Sequence, residues 1–452
     1  MRRAGRMLCL VLILGTFGSF PTAATGPSGR IIKVGPGNYL EQLRRLKPGD
    51  TLQLAPGSYG QVSDVPGLPL FNLHGTSDNP IVIEGPRKGP PARLLARESH
   101  NTIRIANASH IVVQYLELDG RNLDVDAVKA QGISHHITLQ NLRIINHGHN
   151  QQTVGISTKA PAWNWIVREN VIEGAGTGMY FGSPGGNCPF VGGLIERNLV
   201  VDTIGYNVQI KHQRGRPIDI GMSTGSAVTV IRHNVFSKQN GASARPAARP
   251  NLLVGHFPLQ GPGRDDRYEI YGNFFYENQS GECLFQGEGN IAFYSNILVN
   301  DSGSGVCIQP HNDLPRDIAV FDNTIIARIV GIRIVGLTHP GAAVVLGNVV
   351  FASTPLSVPA SDQNLSGNVD EAQHYFVNSA TQLPGLDLRL KRPSGIAQPD
   401  RRNLRRFRGA TDDFNGVSRE QGEIGAYARR DVDSWPLSLT IKPKNIESVP
   451  RH

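Results

Sequence analysis

From about residue 110 to residue 351 the chain repeats one arrangement of apolar and polar positions: a few alternating apolar residues, one asparagine, then another apolar pair. It reads ITLQNLRI, WIVRENVI, GLIERNLVV, TVIRHNVF, EIYGNFFY, AFYSNILV, AVFDNTII and VVLGNVVF, centred on Asn141, Asn170, Asn198, Asn234, Asn273, Asn296, Asn323 and Asn348. Tyr115 takes the same place one repeat earlier, and Asn368 is expected to mark a degenerate last one. Alternation on both sides of the asparagine predicts two short strands meeting at a sharp corner. Asparagine suits such a corner because it tolerates the left-handed conformation at low cost. If the repeats stack, these amides can hydrogen-bond along the stack. A third short strand precedes each pair: VGISTK, GMYFGS, YNVQIKH, NLLVGH, ECLFQGE, GVCIQPH and GIRIVG. Three strands per repeat predict an all-β fold, a right-handed parallel β-helix in which each turn buries its inward side chains on its neighbours.

Solenoid ends need caps, because terminal turns expose apolar faces and strand edges. Helical apolar spacing in Tyr39-Leu40-Glu41-Gln42-Leu43-Arg44-Arg45-Leu46 predicts an N-terminal helical cap. We expect a single β-helix domain over residues 30–430 and a C-terminal tail over 431–452. Ahead of it, Arg2, Arg3 and Arg6 precede the apolar run Met7 to Phe20 and the small residues up to Ala24. That is the pattern of a cleaved signal peptide, residues 1–24, and it predicts a secreted or periplasmic protein.

Composition narrows the picture. Of 452 residues, 18% are charged, and there are 51 glycines and 30 prolines, which fits a turn-rich β protein and argues against a helical bundle. No later apolar run is long enough for a membrane span. Losing three arginines with the leader lowers the formal charge from +8 to +5. A mildly basic exported chain favours an anionic partner, and no nucleic-acid-binding motif is present. Cys188, Cys283 and Cys307 remain. An odd number argues against a disulfide framework, so buried thiols are expected rather than a Cys283–Cys307 bridge. The chain is expected to be a monomer.

Candidate chemistry gathers in the middle repeats. The longest asparagine spacings predict extra loops at Arg214–Ser226 and Gly241–Arg249, and QGPGRDDR extends another corner. Insertions on a solenoid build walls beside one face. Aligning the third strands on Ile210, Val254, Phe285 and Ile308 turns Asn207, Gln209, Lys211, Asn251, Glu282, Gln286 and Gln309 outward. His212, His256, Glu288 and His311 follow at the strand ends, and Lys159 and Tyr180 lie one or two turns earlier. One face thus collects a lysine, histidines, carboxylates and amides, suited to a sugar-binding groove. The expected catalytic set is Lys211 with His256, and His311 third. Asn207, Gln209, His212, Arg214, Gln286, Glu288, Gln309, Tyr180 and Lys159 are the expected substrate-binding residues. Trp163 and Trp165 suit either a sugar platform or a packed corner.

The block from Tyr39 through Pro48-Gly49-Asp50 and TLQLA to Pro56-Gly57-Ser58-Tyr59 resembles the start of pectin-lyase-like β-helix proteins. Asp413-Phe414-Asn415-Gly416 and Gly422-Glu423-Ile424-Gly425-Ala426-Tyr427 resemble their closing segment. Ile210-Lys211-His212 followed by Val230-Ile231-Arg232-His233-Asn234 is similar to the catalytic-lysine turn of the polysaccharide lyase family of chondroitinase B and alginate lyases. The resemblance implies β-elimination on an acidic, uronic-acid-containing polysaccharide, with Lys211 taking the C5 proton. Where that family carries Arg-His-Gly in the acid role, this chain has Val254-Gly255-His256. The sequence itself asks for no cofactor or metal. The family's calcium cluster finds its nearest counterparts in Glu282 and Glu288. A glycoside hydrolase, a uronate C5-epimerase and a non-catalytic glycan-binding protein remain as alternatives on the same fold.

Overall fold

The computed structural model describes residues 29–60, 65–392, 394–396, 399–420, 422–428 and 435–444; the expected leader, residues 1–24, lies outside them. The chain winds as a right-handed parallel β-helix with three sheets. The first sheet runs from Ile31–Val34 and Thr51–Leu54 to Ile318–Phe321 and Ala343–Leu346. The second follows each corner, from Gly57–Tyr59 and Ala92–Leu95 to Leu365–Gly367. The third includes Val154–Thr158, Thr177–Phe181, Val208–Ile210, Leu252–Val254, Phe285–Gly287 and Val306–Ile308, each paired in parallel with the next.

Alternation makes these strands and stacking stabilises them. In the third sheet Ile156, Met179, Val208, Leu252, Phe285 and Val306 form one inward column, all fully buried. A short helix, Tyr39–Leu43, buries Tyr39 and Leu43 against the first turns, and the Tyr39 hydroxyl donates to the Gly67 carbonyl at 2.7 Å. It is the expected cap, ending sooner, at Leu43; Leu46 still reaches the core, but from the turn that follows.

The asparagines form a ladder, with a correction to their local role. The left-handed residue is the one before each asparagine: Glu169, Arg197, His233, Ser295 and Asp322 have φ between 50° and 57°. The asparagine follows with its side chain inside. Backbone N–H and Nδ2 of Asn170 both donate to Oδ1 of Asn198, at 3.1 and 2.9 Å. The pattern continues through Asn234, Asn273, Asn296, Asn323 and Asn348 to Asn364. An inward amide can satisfy backbone groups that the corner strips of strand partners, whereas a left-handed residue points its side chain outward. Asn141 therefore stands outside the ladder, being itself the left-handed residue (φ 53°). Asn368 is no rung either; it caps the short helix Val369–Glu371.

The C-terminal chain returns over two of the three outer faces. Leu386, Leu388, Phe414, Ile424, Trp435 and Leu437 pack on Val235, Phe274, Ile297 and Val349 of the second sheet. Leu404, Phe407 and Ala410 cover Tyr271, Tyr294 and Phe321 of the first. Lys442 ends this return fully buried, donating to the Gly272 carbonyl at 2.8 Å and to the Phe414 carbonyl. The cysteine expectation is overturned: Cys283 and Cys307 form a disulfide, leaving Cys188 free. Residue counting could not see this, because parallel stacking brings Cα atoms 24 positions apart to within 6.2 Å.

Candidate functional site

The outer face of the third sheet carries the polar column. Strand pairing sets Lys129, Ser157, Tyr180, Gln209, Leu253, Gln286, Cys307 and Arg333 in one line. Two positions later, at the strand exits, backbone bonds to the preceding turn align Lys211, Gly255, Glu288 and Gln309. The sequence alignment misplaced one turn. Phe285 stacks on Leu252 and Val208, and Gly287 takes the inward slot beside Val254 and Ile308. The Phe285 ring overhangs that slot, since a Cβ at Gly287 would come within 2.8 Å of it. An apolar-periodicity match therefore slipped by two residues. As a result Gln309 stands beside Glu288, not on Gln286.

Lys211 and Glu288 lie two turns apart, about 10 Å at roughly 4.8 Å per turn, with Gly255 between them. A Cβ at Gly255 would collide with the backbone of His212, so this turn offers no side chain there. His212 and His256 stack on adjacent turns, ring centres 5.3 Å apart. Nδ1 of His256 meets the Phe257 carbonyl at 2.9 Å. A carbonyl only accepts, so in the neutral ring Nδ1 holds the proton and Nε2 carries the lone pair.

Glu288 is buried and fully engaged. Its carboxylate accepts from the backbone N–H groups of His311, Asn312 and Asp313 at 3.0, 2.7 and 3.1 Å, and from Nδ2 of Asn312 at 3.0 Å. Burial raises its pKa, but these bonds outweigh burial and hold it below the usual glutamate value. The same anion opposes the burial that pushes the half-buried Lys211 ammonium below its ordinary value. Burial, then the neighbouring His256 and Lys211, push His212 below its ordinary value too. Burial and the nearby Tyr206 push Tyr180 up to about 12, keeping it a phenol.

Other predicted residues fall around this centre. Lys159 is exposed, its Nζ 5.3 Å from the centre of the Tyr180 ring. Gln209 is mostly covered, Gln286 is half-exposed, and Arg214 and His311 are exposed at the strand exits. Asn207 and Asn251 do not reach the face. Both are fully buried at the other corner, where Asn207 donates to Thr203 Oγ1 and the Ser237 carbonyl, both at 3.1 Å. Trp165 is fully buried and donates to the Ser134 carbonyl at 3.2 Å, while Trp163 packs on His135, so these rings are corner packing. The predicted loops do flank the face. Buried Arg216 pairs with Asp266, tying 214–226 to 260–267 at the strand exits. At the strand entries, Gln151 holds the Ala247 carbonyl at 2.7 Å and Ser280 holds that of Ser243 at 2.5 Å.

Two contributors were missed. Arg333, outward in GIRIVG, lies on the Gln286 and Cys307 line and donates to Gln309 Oε1. Alternation within that strand was the available signal. Asn312 gave none, since its role exists only through Glu288. The residues do not suit the calcium cluster either. Glu288 has its lone pairs taken, and Glu282 lies at the opposite end of the strand Phe285–Gly287. Calcium wants six to eight free oxygen ligands.

No family model matches the chain, and no curated protein matches it. Among solved structures, a lacto-N-biosidase from Eubacterium ramulus is similar at 13% identity, with a TM-score of 0.51 over 75% of this chain and 68% of that one. An alginate lyase from Paenibacillus sp. is similar at 14% identity and TM-score 0.42 over 68% of this chain and 99% of that one. A pectate lyase is similar at 11% identity and TM-score 0.42, over 90% and 91%. At such identities only the first of these likenesses bears on this chain, and it speaks for the fold, a parallel β-helix, and for nothing finer. No helix among the described residues is long and apolar enough to cross a membrane.

Proposed function

We propose that the protein is a secreted or periplasmic polysaccharide lyase that cleaves a uronic-acid-containing glycan by β-elimination on the outer face of the third sheet. The observation that carries this reading is the pairing, on adjacent turns, of a His256 ring with its Nε2 lone pair free and a half-buried Lys211 ammonium. β-Elimination needs a base for the C5 proton, an acid for the leaving oxygen and charge stabilisation for the uronate enolate. Nε2 of His256 takes the C5 proton. Lys211, kept cationic by Glu288 but acidified by burial, gives a proton to the departing oxygen. Gln286, one turn beyond His256, meets the carboxylate, and Arg333, two turns further along the same line, holds a more distant part of the anionic glycan. This reverses the proton roles that the sequence resemblance suggested, because the Phe257 carbonyl fixes the tautomer of His256.

Hydrolysis is the weaker reading. It requires two free carboxyl groups about 5–9.5 Å apart, whereas Glu282 and Glu288 lie beyond opposite ends of the strand Phe285–Gly287 and Glu288 is already bonded by the backbone of residues 311–313. The Cys283–Cys307 disulfide supports export, since such bonds persist in oxidising compartments.

The test is a panel of alginate, glycosaminoglycan, pectate and glucuronan, read by ultraviolet absorbance and by reducing ends. We expect both signals to rise together on one polymer. Reducing ends without absorbance would overturn the lyase reading in favour of hydrolysis.

A further inference from the structure

Near the N-terminal end, on the corner from the third sheet to the first, three imidazoles converge. His110 and His136 occupy the same left-handed corner position on successive turns, with φ 53° and 52°. Their rings stack at 4.4 Å, tilted by 10°. His135 packs its ring on Trp163 at 4.4 Å and turns Nδ1 toward Nδ1 of His136, 2.8 Å away. One ring nitrogen from each of the three lies within 4.8 Å of the others. Among the described residues Nδ1 of His110 is buried without a hydrogen-bond partner.

Hydrogen bonding alone accounts poorly for this arrangement. Two Nδ1 atoms facing each other can share one proton, and buried ring nitrogens normally find partners. A cation placed among the three lone pairs satisfies all of them. We propose that His110, His135 and His136 bind one divalent first-row transition-metal ion, with Zn²⁺ the expected occupant.

Three imidazoles and no carboxylate select zinc, cobalt, nickel or copper, and disfavour calcium and magnesium, which take oxygen ligands. Metal–nitrogen bonds of about 2.0–2.1 Å place the nitrogens of a tetrahedral ion roughly 3.3 Å apart. The cluster reaches this by opening its 2.8 Å contact by about 0.5 Å, closing the longer ones by up to about 1.5 Å, and turning the His110 and His136 rings out of their parallel stack so that both in-plane lone pairs point at one ion. A supporting partner is present. The Asn164 amide lies 3.0 Å from Nε2 of His136. Turned so that its oxygen faces the ring, it accepts from Nε2–H and leaves Nδ1 as the ligand. Trp163, beneath His135, also packs with Met222 of the 214–226 loop, so the ion would brace the corner that this loop rests on. The cluster lies about 15 Å along the axis from Lys211, at roughly 4.8 Å per turn over three turns, and this proposal does not rest on the lyase reading.

The test uses the tag-free, chelator-stripped chain with Co²⁺ and Zn²⁺ alone. We expect one equivalent of Co²⁺ with the visible absorption of a four-coordinate site, and a rise in melting temperature on adding Zn²⁺. His110→Asn and His136→Asn retain a residue that tolerates the left-handed corner; each should weaken Co²⁺ binding at least tenfold with an unchanged circular dichroism spectrum. In the unaltered chain, Zn²⁺ should protect His110, His135 and His136 from diethyl pyrocarbonate, read by mass spectrometry. The proposal is overturned by an absence of stoichiometric Co²⁺ uptake. Uptake unchanged in both folded variants, or Zn²⁺ protection falling on other histidines, overturns it equally.

Discussion

The second and third sheets share one solenoid and one kind of interior, yet their outer faces have opposite fates. On the second, Val235, Phe274, Ile297 and Val349 point outward and the C-terminal chain covers them. On the third, Tyr180, Gln286 and Arg333 point outward and remain half-exposed between flanking loops. Inward residues set how the turns stack. Outward residues decide whether a face becomes more core or a surface for chemistry.

Substitutions should therefore separate cleanly between the faces. Lys211→Met or His256→Ala is expected to lower turnover on the responsive glycan by about 10²–10⁴-fold, the usual weight of a general acid or base. Melting should shift little, and steady-state kinetics with a thermal melt checks both halves. On the covered face, Phe414→Ala should cost about 3–5 kcal/mol of unfolding free energy, read by denaturant titration, since its ring is fully buried. If the C-terminal return is only a cover, activity per folded molecule stays the same. Cys283→Ser removes a link closing a loop of some 24 residues. It is expected to cost about 3–4 kcal/mol by chain entropy, and a reductant should lower the melting temperature of the parent but not of the variant.

Two smaller effects concern protons. Lys238, fully buried between the second and third sheets with one bond to the Arg249 carbonyl at 2.6 Å, is driven down to about 7 by burial. The unfolded chain holds that proton to near 10.5, so folding stability should rise from about pH 7 to 10.5, by up to about 1.4 kcal/mol per unit. Lys238→Met should flatten that slope. Finally, if Lys211 is the acid, kcat/KM falls on the alkaline side through a value below the ordinary lysine range. Glu288→Gln, by removing a nearby negative charge, should move that limb down by roughly 0.3–1 unit. A limb that stays put would separate Glu288 from the proton donor.

The fold was legible because the asparagine rows and apolar alternation are local patterns repeated many times over. Even there, Asn141 and Asn368 were read as rungs, since a motif cannot distinguish the left-handed residue from the inward one beside it. On the face, Gln209, Lys211 and Gln286 were placed by alternation, and His256 by its position at a strand end. Gln309 was placed on the wrong line because the bulk of Phe285 fills two inward slots. Asn207 looked like a groove amide because a buried corner and an open face have the same polar composition. The three histidines at 110, 135 and 136 carried no signal, since His110 stands 25 residues before the adjacent pair along the chain.

By itself the sequence determined the right-handed coil, its three strands per turn, its amide ladder and its helical cap. Each of these follows from nearest-neighbour rules of alternation and turn chemistry. Only the tertiary structure decided which outer faces are covered, that Cys283 meets Cys307, that Glu288 is spent on a loop, and which nitrogen of His256 is free. These depend on contacts between turns and with the returning C-terminal chain, where stacking distance replaces sequence distance.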